Sequence, residues 1–244
     1  MQESSFTIKS NGKIALNTFR MILEGDTSAI SGSGQFVQIE LPGKFLRRPI
    51  SVCDYDAGSL TLIYKVVGEG TALMSRMAEG ETLTILTGLG HGFDADKCKG
   101  KALLVGGGVG TAPLYRLARE LRSKGKEVTV ILGFNCKDEV MLEEEFKSLG
   151  AEVTVTTADG SVGVKGFVTD PLGNVGGYDY LYTCGPKVMM KALCRKVTVP
   201  GELSMEERMG CGFGICYGCT CNTSSGTRRV CKDGPVFKKE EIIW

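Results

Sequence analysis

Ten cysteines are spread unevenly along this chain of 244 residues, and five of them, Cys211, Cys216, Cys219, Cys221 and Cys231, fall within 21 residues near the C-terminus. That concentration marks a small unit of its own. Cys211, Cys216, Cys219 and Cys231 are spaced C-x4-C-x2-C-x11-C. The first three match the plant-type spacing of a [2Fe–2S] cluster, and a more distant fourth Cys completes the ligand set. A loop wrapped around a cluster needs φ values that side-chained residues avoid, and Gly210, Gly212, Gly214 and Gly218 are placed to supply them. They would also let backbone N–H groups approach sulfur, the bonding that tunes reduction potential. Phe213, Ile215 and Tyr217 are expected to shield the site from water. Structural zinc is the main rival, but zinc usually takes paired C-x2-4-C hooks or His, and the single His, His91, is far away in sequence. Disulfides and unligated thiols are the remaining readings. Cys221 is expected to be a free thiol, packed or exposed, with ligand swapping as the lesser alternative.

The rest of the chain is long enough for two compact units. Residues 1 to about 98 read as β. NTFRMILE (17–24), GQFVQIELP (34–42), LTLIYKVV (60–67) and ETLTILT (81–87) are short, apolar and rich in β-formers, with turns between them spaced as in a barrel or sandwich. One short helix is expected after Gly70, capped by Thr71 over TALMSRMAE. The period then changes. KALLV (101–105) is a continuous apolar run, as a strand buried on both faces requires. It leads through Gly106–Gly107–Gly108–Val109–Gly110 into a helix with Thr111 at the cap and Pro113 in its first turn. Leu114, Leu117, Ala118 and Leu121 give that helix its apolar face, and Gly125 ends it. EVTVIL (127–132), EVTVTT (152–157) and YDYLYT (178–183) add strands, DEVMLEEEFKSLG (138–150) a second helix, and the residues after Cys184–Gly185–Pro186 a last helix to about Arg195. Alternating strand and helix implies a parallel sheet with right-handed crossovers. The expected fold is therefore a β-barrel plus α/β: an antiparallel barrel over 1–98, a parallel-sheet nucleotide-binding domain over 99–200, and the small cysteine-bearing subdomain over 201–244.

Composition narrows the function. Gly makes up 34 residues, about twice the usual 7%, and Pro only 7, so the chain is folded and rich in special turns. Lys plus Arg (29) against Asp plus Glu (28) leaves +1, which removes the electrostatic case for nucleic acid or an anionic membrane. No run approaches the roughly 18–20 apolar residues that cross a bilayer. The opening MQESSFTIKSNGK has no basic n-region and apolar h-region, so a cytoplasmic protein is expected. In a reducing compartment its cysteines are then free, metal-bound or redox-active rather than disulfide-bonded.

A Gly-rich turn between strand and helix serves phosphate binding, because the helix start presents unpaired N–H groups. Here the dinucleotide fingerprint is imperfect. Thr111 stands where a third Gly is required, and LGFNC closes the second strand in place of an acidic residue. A tight turn with no ligand is the bland alternative. Cys184–Gly185–Pro186 ends a later strand on the carboxyl edge of the same sheet. Taken singly, Cys184 reads as a small buried core residue.

In the barrel region, Arg48–Pro49–Ile50–Ser51 follows GQFVQIELP, and Ile63–Tyr64–Lys65 and Gly70–Thr71 come later. In this order, with GGGVGTAPL, CGP and GCGFGICYGC, these segments resemble the ferredoxin-reductase-like flavoproteins. Within them the chain resembles the electron-transfer subunits of class 1B dihydroorotate dehydrogenases. The resemblance spans nearly the whole chain. It implies that Arg48 contacts a flavin phosphate, with Pro49 and Ile50 beside it in the motif, and that Ser51 bonds near the reactive flavin edge. Ile63, Tyr64 and Lys65 would line the flavin, and Gly70 and Thr71 would hold its pyrophosphate. Gly106, Gly107, Gly108, Gly110, Thr111, Cys184, Gly185 and Pro186 would bind NADH. Ile50 stands where many flavoreductases carry an aromatic, and TGLGHGF (87–93) has Gly88 and His91 where the pattern has Pro and Asn. His91 is either a solvent-facing turn residue or a group beside the flavin or a partner.

The implied cofactors are FAD and a [2Fe–2S] cluster, with NADH as substrate. FAD is the step between a two-electron hydride donor and a one-electron cluster, and no acid/base residue is called for. The implied partner is an FMN-containing dihydroorotate dehydrogenase catalytic subunit, in a heterotetramer of two plus two, serving pyrimidine synthesis. Two other readings stand beside it. One is a subunit of an NAD(P)H:ferredoxin or sulfide oxidoreductase, electron-bifurcating enzymes included; some of that group replace one cluster Cys with Asp, whereas all four are Cys here. The other is a non-enzymatic metal-binding module. Lys137, a lone basic residue past the second strand, does not argue for a 2′-phosphate, so the preference for NADH rests on the resemblance.

Overall fold

The computed structural model describes residues 1–173 and 177–244. Six strands come first: β1 (Gln2–Ala15), β2 (Thr18–Gly25), β3 (Phe36–Ile39), β4 (Arg48–Asp56), β5 (Ser59–Lys65) and β6 (Thr82–Leu89), with helix α1 (Glu69–Met74) before the last. They close an antiparallel barrel in the order β1-β2-β5-β4-β3-β6. Period-2 alternation sends Phe6, Met21, Val37, Ile39, Leu60 and Leu62 inward as its core. Helix α1 begins earlier than expected. Gly68 takes the cap position, and Thr71, inside the first turn, reaches back to accept the Val67 and Gly68 N–H groups at 2.9 and 3.3 Å. A hydroxyl at this position satisfies helix-start donors as well as one that precedes them.

Strand and helix then alternate: β7 (Lys101–Gly107), α2 (Ala112–Ser123), β8 (Glu127–Phe134), α3 (Glu143–Ser148), β9 (Glu152–Thr157), β10 (Val164–Lys165), β11 (Tyr180–Cys184), α4 (Lys187–Lys196) and β12 (Gly201–Ser204). The last stretch adds the hairpin β13 (Thr220–Thr223) and β14 (Gly226–Arg229), the short helix α5 (Val230–Asp233) and β15 (Val236–Lys238). The large sheet runs β10-β9-β8-β7-β11-β12-β15, parallel except for β15. Its central residues Leu103, Leu104 and Val105 are buried on both faces. The helix expected over 138–150 is shorter. Leu142 adopts a left-handed φ of 63° and starts α3 at Glu143, while residues 137–139 form a separate 3-10 turn.

Barrel and sheet share a core in which Cys53 and Ile63 meet Leu114, Leu117 and Leu132. Asp54 of β4 clamps α2 by accepting from Arg116 (3.1 Å) and Arg119 (2.9 Å). The cysteine-bearing segment is tied at both ends, because β12 before it and β15 after it extend the sheet. His91 ties it to the barrel through its main chain, donating to the Gly234 carbonyl at 2.6 Å, while its side chain faces solvent. No helix among the described residues is long and apolar enough to cross a membrane.

Candidate functional site

Strands β7 and β11 are neighbours at the point where the strand order reverses, so their carboxyl ends open a crevice. Gly106 pairs with Cys184 across that edge. Small residues let the two turns touch. A β-carbon on Gly110 would lie 2.7 Å from the Cys184 carbonyl oxygen, and one on Gly107 would lie 2.5 Å from Met189 Sδ. Gly108 needs its left-handed φ of 55° and faces open space. Gly107, Gly108, Gly110, Gly185, Pro186 and Lys65 line a cleft of about 610 Å³. Gly106, Thr111 and Cys184 stand behind them. The backbone of Thr111 is already helical, so its hydroxyl donates to the Gly108 carbonyl at 2.9 Å instead of capping α2. Burial pushes the Cys184 thiol well above its usual range, which leaves it inert as a nucleophile.

One wall of this cleft was not foreseen. Lys65 pairs with Glu139 at 2.8 Å, and Glu139 also accepts from the Asn135 main chain and side chain (3.1 and 2.8 Å). Burial alone would raise the Glu139 carboxyl, but the bonds from Lys65 and Asn135 outweigh it and hold it below the usual range. The signal lay in the sequence: no acid closes β8, and one follows on the 3-10 turn.

The second cleft, about 710 Å³, lies against β4 and is lined by Arg48, Pro49, Leu46, Glu206, Arg208 and Met209. Ser51 and Ile50 continue β4, paired with Phe36 and Val37. Gly70 brings the start of α1 against Arg48, where a β-carbon would lie 2.8 Å from the guanidinium carbon. Ile63 and Tyr64 turn their side chains away. Tyr64 points into the barrel, donating to Asn11 Oδ1 at 2.8 Å and stacking on Phe19, and Ile63 packs in the core shared with α2. What they offer a ligand is main chain. Glu206 borders both clefts.

In the cysteine lobe, Cys211 Sγ accepts N–H groups from Ile215 (3.3 Å) and Cys216 (3.4 Å), and Cys216 Sγ accepts from Cys211 and Gly218 (both 3.5 Å). Burial would raise the Cys211 thiol, but the backbone donors of Cys216, Phe213 and Ile215 prevail and bring it down to about 6. Cys219 and Cys231 form the other pair, with the Cys231 N–H 3.4 Å from Cys219 Sγ. Burial and Cys219 push the Cys231 thiol up to about 12. Among the described residues no three His, Cys, Asp or Glu side chains gather as ligands of one ion. Four thiols in two pairs fit a two-iron cluster, whose irons each take two Cys, better than one zinc needing all four around a point.

Two expectations for this loop are corrected. Only Gly212 (φ 79°) and Gly214 (φ 91°) adopt left-handed backbone, joined by Tyr217 (φ 57°). Gly210 serves close approach instead, since a β-carbon there would lie 3.3 Å from Cys216 Sγ, whereas one on Gly218 would make only ordinary contact with that sulfur at 3.5 Å. Phe213, Ile215 and Tyr217 do not cover the site; they are 38%, 73% and 63% exposed. The loop directs its N–H groups at sulfur, which turns these side chains outward. Cys221 is a buried free thiol.

Barrel, crevice and sulfur loop together define a flavin- and nicotinamide-dependent oxidoreductase of the ferredoxin-reductase type with an iron–sulfur lobe. Residues 206–243 match the family model for the iron–sulfur cluster binding domain of dihydroorotate dehydrogenase B, and residues 104–195 match that for the oxidoreductase NAD-binding domain. The dihydroorotate dehydrogenase B (NAD(+)) electron transfer subunit of Geobacillus sp. (strain WCH70) is 43% identical over 100% of this chain and 99% of that protein. Its counterpart from Fusobacterium nucleatum is 42% identical over 99% of each. The chain belongs to this family of electron transfer subunits, and is thus one subunit of a larger enzyme. Its cofactors are FAD and a [2Fe–2S] cluster, and its substrate is NADH. A solved NADH-dependent reduced ferredoxin-NADP oxidoreductase, described for flavin-based electron bifurcation, superposes with a TM-score of 0.87 at 34% identity, covering 98% of this chain and 90% of that one. A ferredoxin NADP+ reductase from Neisseria gonorrhoeae shares the fold (TM-score 0.68, 16% identity, 80% of this chain and 90% of that one).

Proposed function

We propose that this chain carries electrons between NADH and an FMN-containing dihydroorotate dehydrogenase catalytic subunit, which interconverts dihydroorotate and orotate. One observation carries the reading. The Arg48 cleft is lined both by Glu206, which also lines the dinucleotide cleft, and by Met209, two residues before Cys211. Three sites therefore adjoin in series. FAD, held by these residues, would supply the link between a two-electron hydride donor and a one-electron cluster.

The chain's own residues position these groups. Arg48, with the α1 start at Gly70 and Thr71, holds the FAD phosphates. Pro49, Ile50 and Ser51, with the main chain of Ile63, Tyr64 and Lys65, hold the flavin. Gly107, Gly108 and Gly110 let the NADH pyrophosphate approach the backbone, supported from behind by Gly106, Thr111 and Cys184. Gly185 and Pro186 shape the nicotinamide end. Cys211, Cys216, Cys219 and Cys231 ligate the cluster. The division of labour is then 1–98 for FAD, 99–200 for NADH and 201–244 for the cluster.

The apolar rim of Phe213, Ile215 and Tyr217, exposed around the cysteine loop, suits a protein partner docked over the cluster. Two copies of each subunit would make the heterotetramer. Ten uncrosslinked cysteines suit the reducing cytoplasm. The likeness to the bifurcating oxidoreductase supports a second reading, with ferredoxin as the onward partner. Anaerobic mixing of the purified chain with NADH, with and without the dihydroorotate-oxidising subunit, separates the two. Flavin and cluster bands should bleach with NADH, and orotate should be reduced only with that subunit present. Bleaching without orotate chemistry overturns the first reading in favour of the second.

A further inference from the structure

Gln38 is fully buried, yet neither its Nε2 nor its Oε1 has a hydrogen-bond partner, and these are the only such side-chain atoms among the described residues. Its strand neighbours explain where it points. Val37 and Ile39 enter the barrel core, so Gln38 and Phe36 face outward. Phe36 and Leu86, the latter opposite Gln38 on β6, lie in the cluster of buried side chains that also holds Cys219 and Cys231. Gln38 thus sits in the seam between barrel and cysteine lobe. Its amide presses on Gly212, where a β-carbon would lie 2.7 Å from Gln38 Cδ. Gly212 directly follows Cys211.

An unpaired buried amide costs free energy, whereas an apolar side chain of similar size in this seam would not. Gln38 is also the register partner of Pro49 of the flavin motif in the β3–β4 ladder. We propose that the Gln38 side-chain amide donates a hydrogen bond to sulfur at the Cys211 end of the iron–sulfur loop, as a positioning residue that sets the cluster's redox equilibrium from the barrel side. An N–H aimed at sulfur stabilises the more negative, reduced state and so raises the potential. The main-chain donors already described come from the loop itself. Gln38 supplies one from the domain that holds the flavin.

The inference rests on the [2Fe–2S] reading of the lobe. The test uses the full chain, purified anaerobically with FAD and cluster, as parent, Gln38→Leu and Gln38→His. Redox titration follows the cluster by EPR and the flavin by its visible bands. In Gln38→Leu the cluster should hold its electron about tenfold less readily, a shift of about 59 mV for one electron. The flavin titration should stay at the parent value. Gln38→His, which keeps an N–H donor, should return the cluster toward the parent. A fully loaded Gln38→Leu protein titrating with the parent overturns the proposal, as does an equal shift in both variants. Loss of iron from Gln38→Leu alone supports it, and loss from both overturns it. A parent lacking iron and acid-labile sulfide overturns the underlying reading as well.

Discussion

Gly110 and Cys184 meet through their main chains: a β-carbon on Gly110 would stand 2.7 Å from the Cys184 carbonyl oxygen. The two turns belong to strands locked in register, Gly106 against Cys184, so neither can yield without deforming the sheet edge. Gly110→Ala should therefore displace the dinucleotide turn. A misplacement on this scale costs on the order of 10- to 100-fold in rate. Anaerobic stopped-flow should show flavin reduction by NADH slowed by that factor, with FAD content unchanged. An unaltered rate would show that this contact does not shape the NADH site.

Arg48 lines its cleft together with Arg47 and Arg208, and Gly70 lets it alone lie against the start of α1. Arg48→Ala should weaken FAD binding by about 1.5–3 kcal/mol, the range for a hydrogen bond to a charged group. Arg48→Lys should recover only part, since an ammonium lacks the planar fork. Titration of FAD into flavin-stripped protein measures both. Parent-like affinity in the alanine variant would remove Arg48 from the site.

Much of this was legible because the decisive features are local. A cysteine spacing, a continuous apolar strand before a Gly-rich turn, and the Arg48–Ser51 run each carry their chemistry within a few residues. What escaped depends on contacts between distant segments. β1 lacks strong alternation and is fixed by pairing with β2 and β6. β12 and β15 are 4 and 3 residues long and exist because the sheet edge accepts them. The exposure of Ile215 and Tyr217 follows from where the loop aims its N–H groups. The Glu139–Lys65 bridge joins residues 74 positions apart, a relation that only the folded barrel and sheet create.

Cys216 accepts two backbone N–H groups and lies within 3.5 Å of those of Cys211 and Gly218. Cys216→Ser should remove a cluster ligand while leaving both clefts intact, because none of their lining residues belongs to the loop. The visible spectrum should lose its iron–sulfur absorption and onward transfer to a one-electron acceptor should cease. Flavin reduction by NADH should persist near the parent rate. Failure of that hydride uptake in a folded, FAD-loaded variant would break the assignment of separate tasks to clefts and loop.

Glu202 on β12 is buried and accepts the Asp94 N–H at 3.0 Å. Burial is the main cause that pushes its carboxyl up to about 7, from 4.5 when exposed. Between those two values the folded chain holds a proton that the unfolded chain has released, so stability is full below pH 4.5 and declines as pH rises through 7. Gln at this position mimics the protonated acid and can still accept from Asp94. Glu202→Gln should match the parent near pH 4.5 and exceed it by about 2 kcal/mol above pH 8, allowing for partial relaxation of the site. Thermal unfolding at a series of pH values reads the difference directly. A gap between variant and parent that stays constant with pH would mean the carboxyl titrates alike in both states, and that its burial carries no electrostatic penalty.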